Sequence, residues 1–143
     1  MKILAVDYGD KRTGLAVSDI SELLATPLKP QIEERSMGKV VNAVIEAAKA
    51  NHAELLVLGL PKNMDGTEGA RAQKSRKFGD MLAEKSGLPV RMWDERQTTI
   101  TAASILSENG TFGQKRKACL DAVSASVILE AYLAWRKNHP GEV

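Results

Sequence analysis

Between Met37 and Leu58 the hydrophobic period of the chain changes once, and that change fixes much of what the chain can fold into. Met37, Val40, Val41, Val44, Ile45 and Ala48 recur at helical spacing, so Ser36 to about Asn51 predicts an amphipathic helix with one buried stripe. Leu55-Leu56-Val57-Leu58 then forms an unbroken apolar run ending at Gly59-Leu60-Pro61, the pattern of a strand covered on both faces. A strand reached through a crossover helix is most economically parallel to its predecessor.

The flanking segments complete an α/β pattern. Ile3-Leu4-Ala5-Val6 and Thr13 to Val17 are short strand-forming runs around the polar turn Gly9-Asp10-Lys11-Arg12, which reads as a hairpin. Leu23 to Ile32 contains Pro27 and Pro30 and suits an edge strand. Pro61 to Gly69 is a loop of functional length, and a helix from about Ala70 to Ser86 is stopped by Gly87 and Pro89. Val90 to Trp93 is a short strand, after which Thr98 or Thr99 could cap a helix through Leu106. Asn109 to Lys117 reads as a glycine-bearing basic loop, and a last helix from about Ala118 to Lys137 ends before Pro140. The expected fold is therefore a mixed five-stranded sheet, its first three strands antiparallel and the rest parallel βα units, with helices on both faces.

With 143 residues, the chain suits one domain over residues 1–143. Apolar and charged contents of 43% and 27% are those of a soluble globular protein. The net charge of +2 makes no electrostatic case for nucleic acid by itself, so any such binding needs locally concentrated cations. The one cysteine, Cys119, excludes an internal disulfide and a cysteine-based zinc cluster. Asp7 interrupts the first apolar run too early for a signal peptide, and no segment suits a bilayer, so a cytoplasmic protein without membrane association is expected.

Three acids stand where a charge needs explanation: Asp7 after the first strand, Glu95 after the last, and Asp121 near the start of the final helix. Desolvating a carboxylate costs several kcal/mol unless something compensates. Taken singly, Asp7 could bond the amides of the Tyr8-Gly9-Asp10 turn, Glu95 could be an exposed loop residue, and Asp121 could complement a helix macrodipole from the first turn. Taken together they would repel one another without a cation. A cluster of the three would hold hard divalent ions such as Mg²⁺ or Mn²⁺, and two ions about 4 Å apart could serve phosphodiester hydrolysis. Asp121 shares a helical face with Ser124, Ala125, Ile128 and Tyr132, which is expected to point inward.

DYGDKRTGLAVSD from Asp7, GLPKNMDGTEG from Gly59, WDERQTT from Trp93 and LDAVSASVILEAYL from Leu120 together resemble the bacterial YqgF family of pre-16S ribosomal RNA nucleases and Holliday junction resolvase-like proteins. The four motifs span almost the whole chain in order. The resemblance implies a ribonuclease H-like fold and metal-dependent phosphodiester hydrolysis, with Asp7, Glu95 and Asp121 as catalytic acids and metal ligands, Asp7 bridging two ions. It departs at Thr13, Gln97, Ser124 and Ser126, none of which is an acid of the triad.

Several cations could meet the substrate's phosphates. Lys11 and Arg12 lie in the hairpin turn, Arg96 beside Glu95, Arg71 with Lys74 and Lys77 at three-residue intervals, and Lys115-Arg116-Lys117 in the expected basic loop. Each group could equally be a solvated surface. Two Phe, two Tyr and two Trp are too few for an extended stacking platform, so recognition would rest on backbone shape. Pro61 to Gly69 could close over substrate or be a long connector. His52 and His139, at helix ends, are given no catalytic role. Structured RNA, free or in ribosomal precursor particles, is the favoured substrate and branched DNA the second. A junction cutter would need a symmetric dimer. A non-catalytic RNA- or transcription-associated factor is a different class of function, and a sugar-kinase-like phosphoryl-transfer module is disfavoured by the short chain.

Overall fold

The structure, a computed structural model, describes residues 1–95 and 113–141, with the side chains of 29, 30 and 113–123 excepted. Its elements are β1 (Ile3–Asp7), β2 (Thr13–Ser18), β3 (Ala25–Ile32), α1 (Met37–Ala50), β4 (Leu55–Leu60), α2 (Ala70–Ser86), β5 (Val90–Asp94) and α3 (Gly113–Asn138).

The strands form one sheet in the order β3-β2-β1-β4-β5. β1 pairs antiparallel with β2 and β2 with β3, whereas β4 is parallel to both β1 and β5. The expected mixed sheet is therefore observed. β3, with its two prolines, lies at an edge, where missing ladder donors are tolerated. It begins at Ala25, so Leu23 and Leu24 belong to the β2–β3 connection and are largely exposed.

Alternate residues of the central strands feed two cores. Leu4, Val6, Leu56 and Leu58 pack with Val40, Val41 and Val44 of α1 and with Phe78 and Leu82 of α2. Ile3, Ala5, Leu55 and Val57 pack on the opposite face with Ala125, Ile128, Leu129 and Tyr132 of α3. Burial on both faces explains the unbroken apolar runs of β1 and β4. α2 ends because Gly87 takes the left-handed conformation at φ 70°, its N–H donating to the Ala83 carbonyl at 3.0 Å. Among the described residues, no helix is long and apolar enough to cross a membrane.

Candidate active site

The side chain of Asp7 leaves the sheet on the face of Ile3 and Ala5, because residues two apart on a strand share a face. That is the face covered by α3. On one side Asp7 is paired with Gly14 of β2. On the other, the register that sets Val6 against Leu58 brings Asp7 level with Gly59 of β4. Opposed residues point to the same face, so the carboxylate-bearing position stands between two positions without side chains.

A strand glycine often marks a close approach by another group, and at Gly59 that group is Glu95. A Cβ on Gly59 would stand 2.5 Å from Glu95 Oε1 and 2.9 Å from its Cδ. Glu95, the residue after β5, therefore folds back over β4 into the space beside Asp7. Both carboxylates are partly buried.

α3, which carries Asp121 in its sequence, covers this face. Arg136 pairs with Glu22 at 2.5 Å, and Glu22 lies in the β2–β3 connection, at the end of the sheet where β1 begins. The helix thus runs antiparallel to β1. Asp121 precedes Arg136 by 136 − 121 = 15 positions, about 22 Å of helix axis. The chain from Met1 to Asp7, which is β1 and the two residues before it, covers 7 − 1 = 6 steps, about 20 Å. The Asp121 backbone accordingly lies toward the end of the sheet where Asp7 stands.

Two expectations for this segment need correction. α3 begins at Gly113 rather than near Ala118, so Lys115, Arg116 and Lys117 lie on its first turns and not in a loop. Gln, Lys and Arg are good helix formers, and no breaker follows Gly113. Asp121 is consequently beyond the first turn, where the macrodipole has little hold on it. The side chains of Lys115, Arg116, Lys117, Cys119 and Asp121 lie outside the described residues, as do Arg96 and the expected helix from Thr98 or Thr99 through Leu106.

The strand end that carries Asp7 is fixed from the opposite face. Tyr8 stacks on Phe78 of α2 with ring centroids 4.2 Å apart, and burial raises the pKa of its hydroxyl. Asp10 reaches α2 as well, accepting from Lys74 Nζ at 2.6 Å. That hydrogen bond holds the Asp10 carboxyl below its usual range and raises the Lys74 ammonium. Gly9 is required in the turn, since a Cβ there would collide with the Arg12 carbonyl oxygen. Lys11, Arg71 and Lys77 are exposed and Arg12 half-buried.

The Pro61 to Gly69 loop is a self-bonded turn. The Asn63 N–H donates to the Thr67 carbonyl at 2.8 Å and the Gly66 N–H to the Asn63 carbonyl at 2.9 Å. Asp65 Oδ1 accepts from both the N–H and the hydroxyl of Thr67. Arg76 of α2 holds Glu68 through two nitrogens at 2.5 and 2.7 Å. His52 and His139 are exposed, and His139 stacks on Trp135.

Among the described residues, no group of three His, Cys, Asp or Glu side chains forms a metal site. That set omits the Asp121 side chain. The residues present fit a hard cation in that the donors are carboxylate oxygens, and Gly59, having no side chain, admits the carboxylate of Glu95 beside Asp7. Sequence reasoning had missed this glycine. Its signal was available, as it interrupts a run of strand-forming residues.

Comparison with known proteins adds a family. A family model described as "RuvX: Holliday junction resolvase" matches residues 1–135. A protein of Agathobacter rectalis named "Putative pre-16S rRNA nuclease" is 40% identical over 142 residues, covering 96% of this chain and 98% of its own. One of the same name from Caldanaerobacter subterraneus is also 40% identical, over 96% of this chain and 99% of its own. Among solved structures, one described as "T. thermophilus RuvC in complex with Holliday junction substrate" superimposes with a TM-score of 0.63 at 15% identity, covering 96% of each chain. A second RuvC structure from Thermus thermophilus gives 0.55 at 14% identity, over 94% of this chain and 97% of that one. At those identities the likeness speaks for the fold alone, which is ribonuclease H-like.

Proposed function

This chain belongs to the RuvX family, and from that premise and the geometry around Asp7 we propose that it is a metal-dependent nuclease that processes the 5′ end of pre-16S ribosomal RNA in the cytoplasm. The observation that carries the reading is the placement of the Glu95 carboxylate over Gly59, beside Asp7 on the face covered by α3. Two carboxylate residues, Asp7 and Glu95, thus share that face, the second in the place that Gly59 leaves free of a side chain.

Asp7, Glu95 and Asp121 would hold two Mg²⁺ or Mn²⁺ ions. When bound, the ions supply an activated water and stabilise the leaving oxygen of the phosphodiester. The chain's own residues do the positioning. Tyr8 and Asp10, tied to α2, keep the end of β1 from shifting, which matters because small misplacements of catalytic groups are costly in rate. Lys11, Arg12, Arg71, Arg96 and Lys115 to Lys117 would contact the phosphates of the strand being cut. A relative's name for this activity, at 40% identity over nearly the full length of both chains, favours structured RNA as substrate, alone or in ribosomal precursor particles.

Cleavage of four-way DNA junctions is the second reading, favoured by the description of the matching family. It requires two active sites on one substrate, hence a symmetric dimer.

Wild type and Asp7→Asn should be compared on a ribosomal precursor RNA and on a synthetic four-way junction, with Mg²⁺, with Mn²⁺ and with chelator. Metal-dependent cutting of RNA by wild type alone is expected. Cutting of the junction alone, by a dimer, would select the second reading. No cutting of either, with RNA still bound, would leave a non-catalytic RNA-binding factor.

A further inference from the structure

We propose that the end of the molecule opposite Asp7 is the interface of a two-fold dimer, in which the last turns of α3 in one copy lie antiparallel to those of a second copy and against its β2–β3 connection. The surface is remote from the acids, so the proposal stands or falls apart from the nuclease reading.

Large apolar side chains face outward here. Ile20, Leu23 and Leu24 of the β2–β3 connection are 75%, 74% and 67% exposed. The turn that carries them is rigid. Asp19 Oδ1 accepts from the N–H groups of Leu23 and Leu24 at 2.8 and 3.0 Å, and Glu22, in the left-handed region at φ 59°, is held by Arg136 of α3. Side chains presented on a preformed turn can be buried without first ordering a loop. Beside the turn a groove of about 480 Å³ runs along α3, with Leu23, Leu133, Ala134 and Pro140 among its walls. An apolar knob and an apolar groove at the same end of one chain make a patch that closes on itself, because a two-fold pair sets the same patch on both copies face to face.

The charges along α3 select a second copy as the occupant. Glu130, Ala134 and Lys137 follow one another at helical spacing and form one exposed line. An axis beside Ala134 sets Glu130 of each copy against Lys137 of the other, and the small side chain at the crossing lets the helices approach closely. Glu22 and Arg136 neutralise each other at the same end, and Glu130 and Lys137 are of opposite sign, so the surface has no net attraction for phosphates. A stable interface takes about 800 Å² and roughly 20 to 30 residues from each partner, more than three apolar side chains supply, which is why the α3 turns belong to it. From the axis to the Asp121 backbone is 134 − 121 = 13 positions, about 20 Å of helix. The candidate active sites therefore remain clear of the contact.

Sedimentation velocity on the full chain, at protein concentrations rising to the millimolar range, tests the proposal. Wild type should pass from one copy to two. Leu23→Asp, at an exposed position, should weaken association by about tenfold or more while melting as wild type does. Glu130→Lys and Lys137→Glu should each weaken it by about tenfold, since each sets like charges opposite one another. Mixing these two single variants should restore dimers, because every facing pair then joins opposite charges. A wild-type chain that stays single at every concentration would overturn the proposal. So would dimers unaffected by Leu23→Asp, or a mixture that associates no better than its two components.

Discussion

Glu95 rests its carboxylate on Gly59, so closely that a Cβ on the glycine would lie 2.5 Å from Oε1. β4 cannot yield, because it is hydrogen-bonded to β1 on one side and β5 on the other. The glutamate must therefore move if the glycine acquires a side chain. Gly59→Ala is expected to cost about 1–3 kcal/mol of stability from overpacking and to lower kcat by about a hundredfold through displacement of Glu95. A thermal melt and a cleavage assay on one preparation check both, and an unimpaired rate would show that the position of Glu95 does not matter to the reaction.

At the hairpin tip the obstacle is backbone. A Cβ on Gly9 would meet the Arg12 carbonyl, which cannot rotate away as a side chain could. Gly9→Ala should destabilise the protein by about 1–3 kcal/mol and loosen the contact between Asp10 and Lys74. Chemical denaturation of the two proteins reads the cost, and equal midpoints would show that the turn relaxes freely.

How much of this was open to sequence reasoning differs from element to element. α2 was expected from Ala70 to Ser86 and occupies that span, because a polar loop precedes it and a left-handed glycine ends it. β4 and α1 were equally clear from their periods. The start of α3 was misread, since Lys115-Arg116-Lys117 shows no apolar repeat, and a charge run in a helix looks like one in a loop. Asp7 and Glu95 could be picked out from their place after strands, and Asp121 from its place in the last helix. That Gly59 stands beside Asp7 could not, because it depends on the register between β1 and β4, which are distant in sequence. The Asp10 to Lys74 pair likewise joins residues 74 − 10 = 64 positions apart.

Phe78 is fully buried between the sheet and the helices while stacking on Tyr8. Phe78→Ala should lower stability by about 3–5 kcal/mol, measured by denaturant titration, and should weaken activity by freeing the end of β1. A loss below about 1 kcal/mol would mean that the surrounding side chains collapse into the space.

Glu22 gives the fold a dependence on acid. Its hydrogen bond to Arg136 lowers its pKa from the ordinary 4.5. A carboxylate whose pKa is depressed on folding stabilises the native state above its unfolded pKa, and that contribution disappears as pH falls through the folded value. The wild-type protein should therefore lose stability relative to Glu22→Gln as pH drops below about 4.5, the gap between their melting temperatures narrowing. A gap constant from pH 7 to pH 3 would contradict this. Because the pair is partly solvent-exposed, the effect should also shrink in high salt.

Binding of Mn²⁺ tests most directly the claim that Asp7, Glu95 and Asp121 form one site. Titration followed by electron paramagnetic resonance requires no substrate and no turnover. Wild type should bind Mn²⁺, and Asp7→Asn, Glu95→Gln and Asp121→Asn should each weaken that binding by about tenfold or more while melting as cooperatively as wild type. Mn²⁺ binding left unchanged by Asp121→Asn, with Asp7→Asn abolishing it, would contradict a three-carboxylate site.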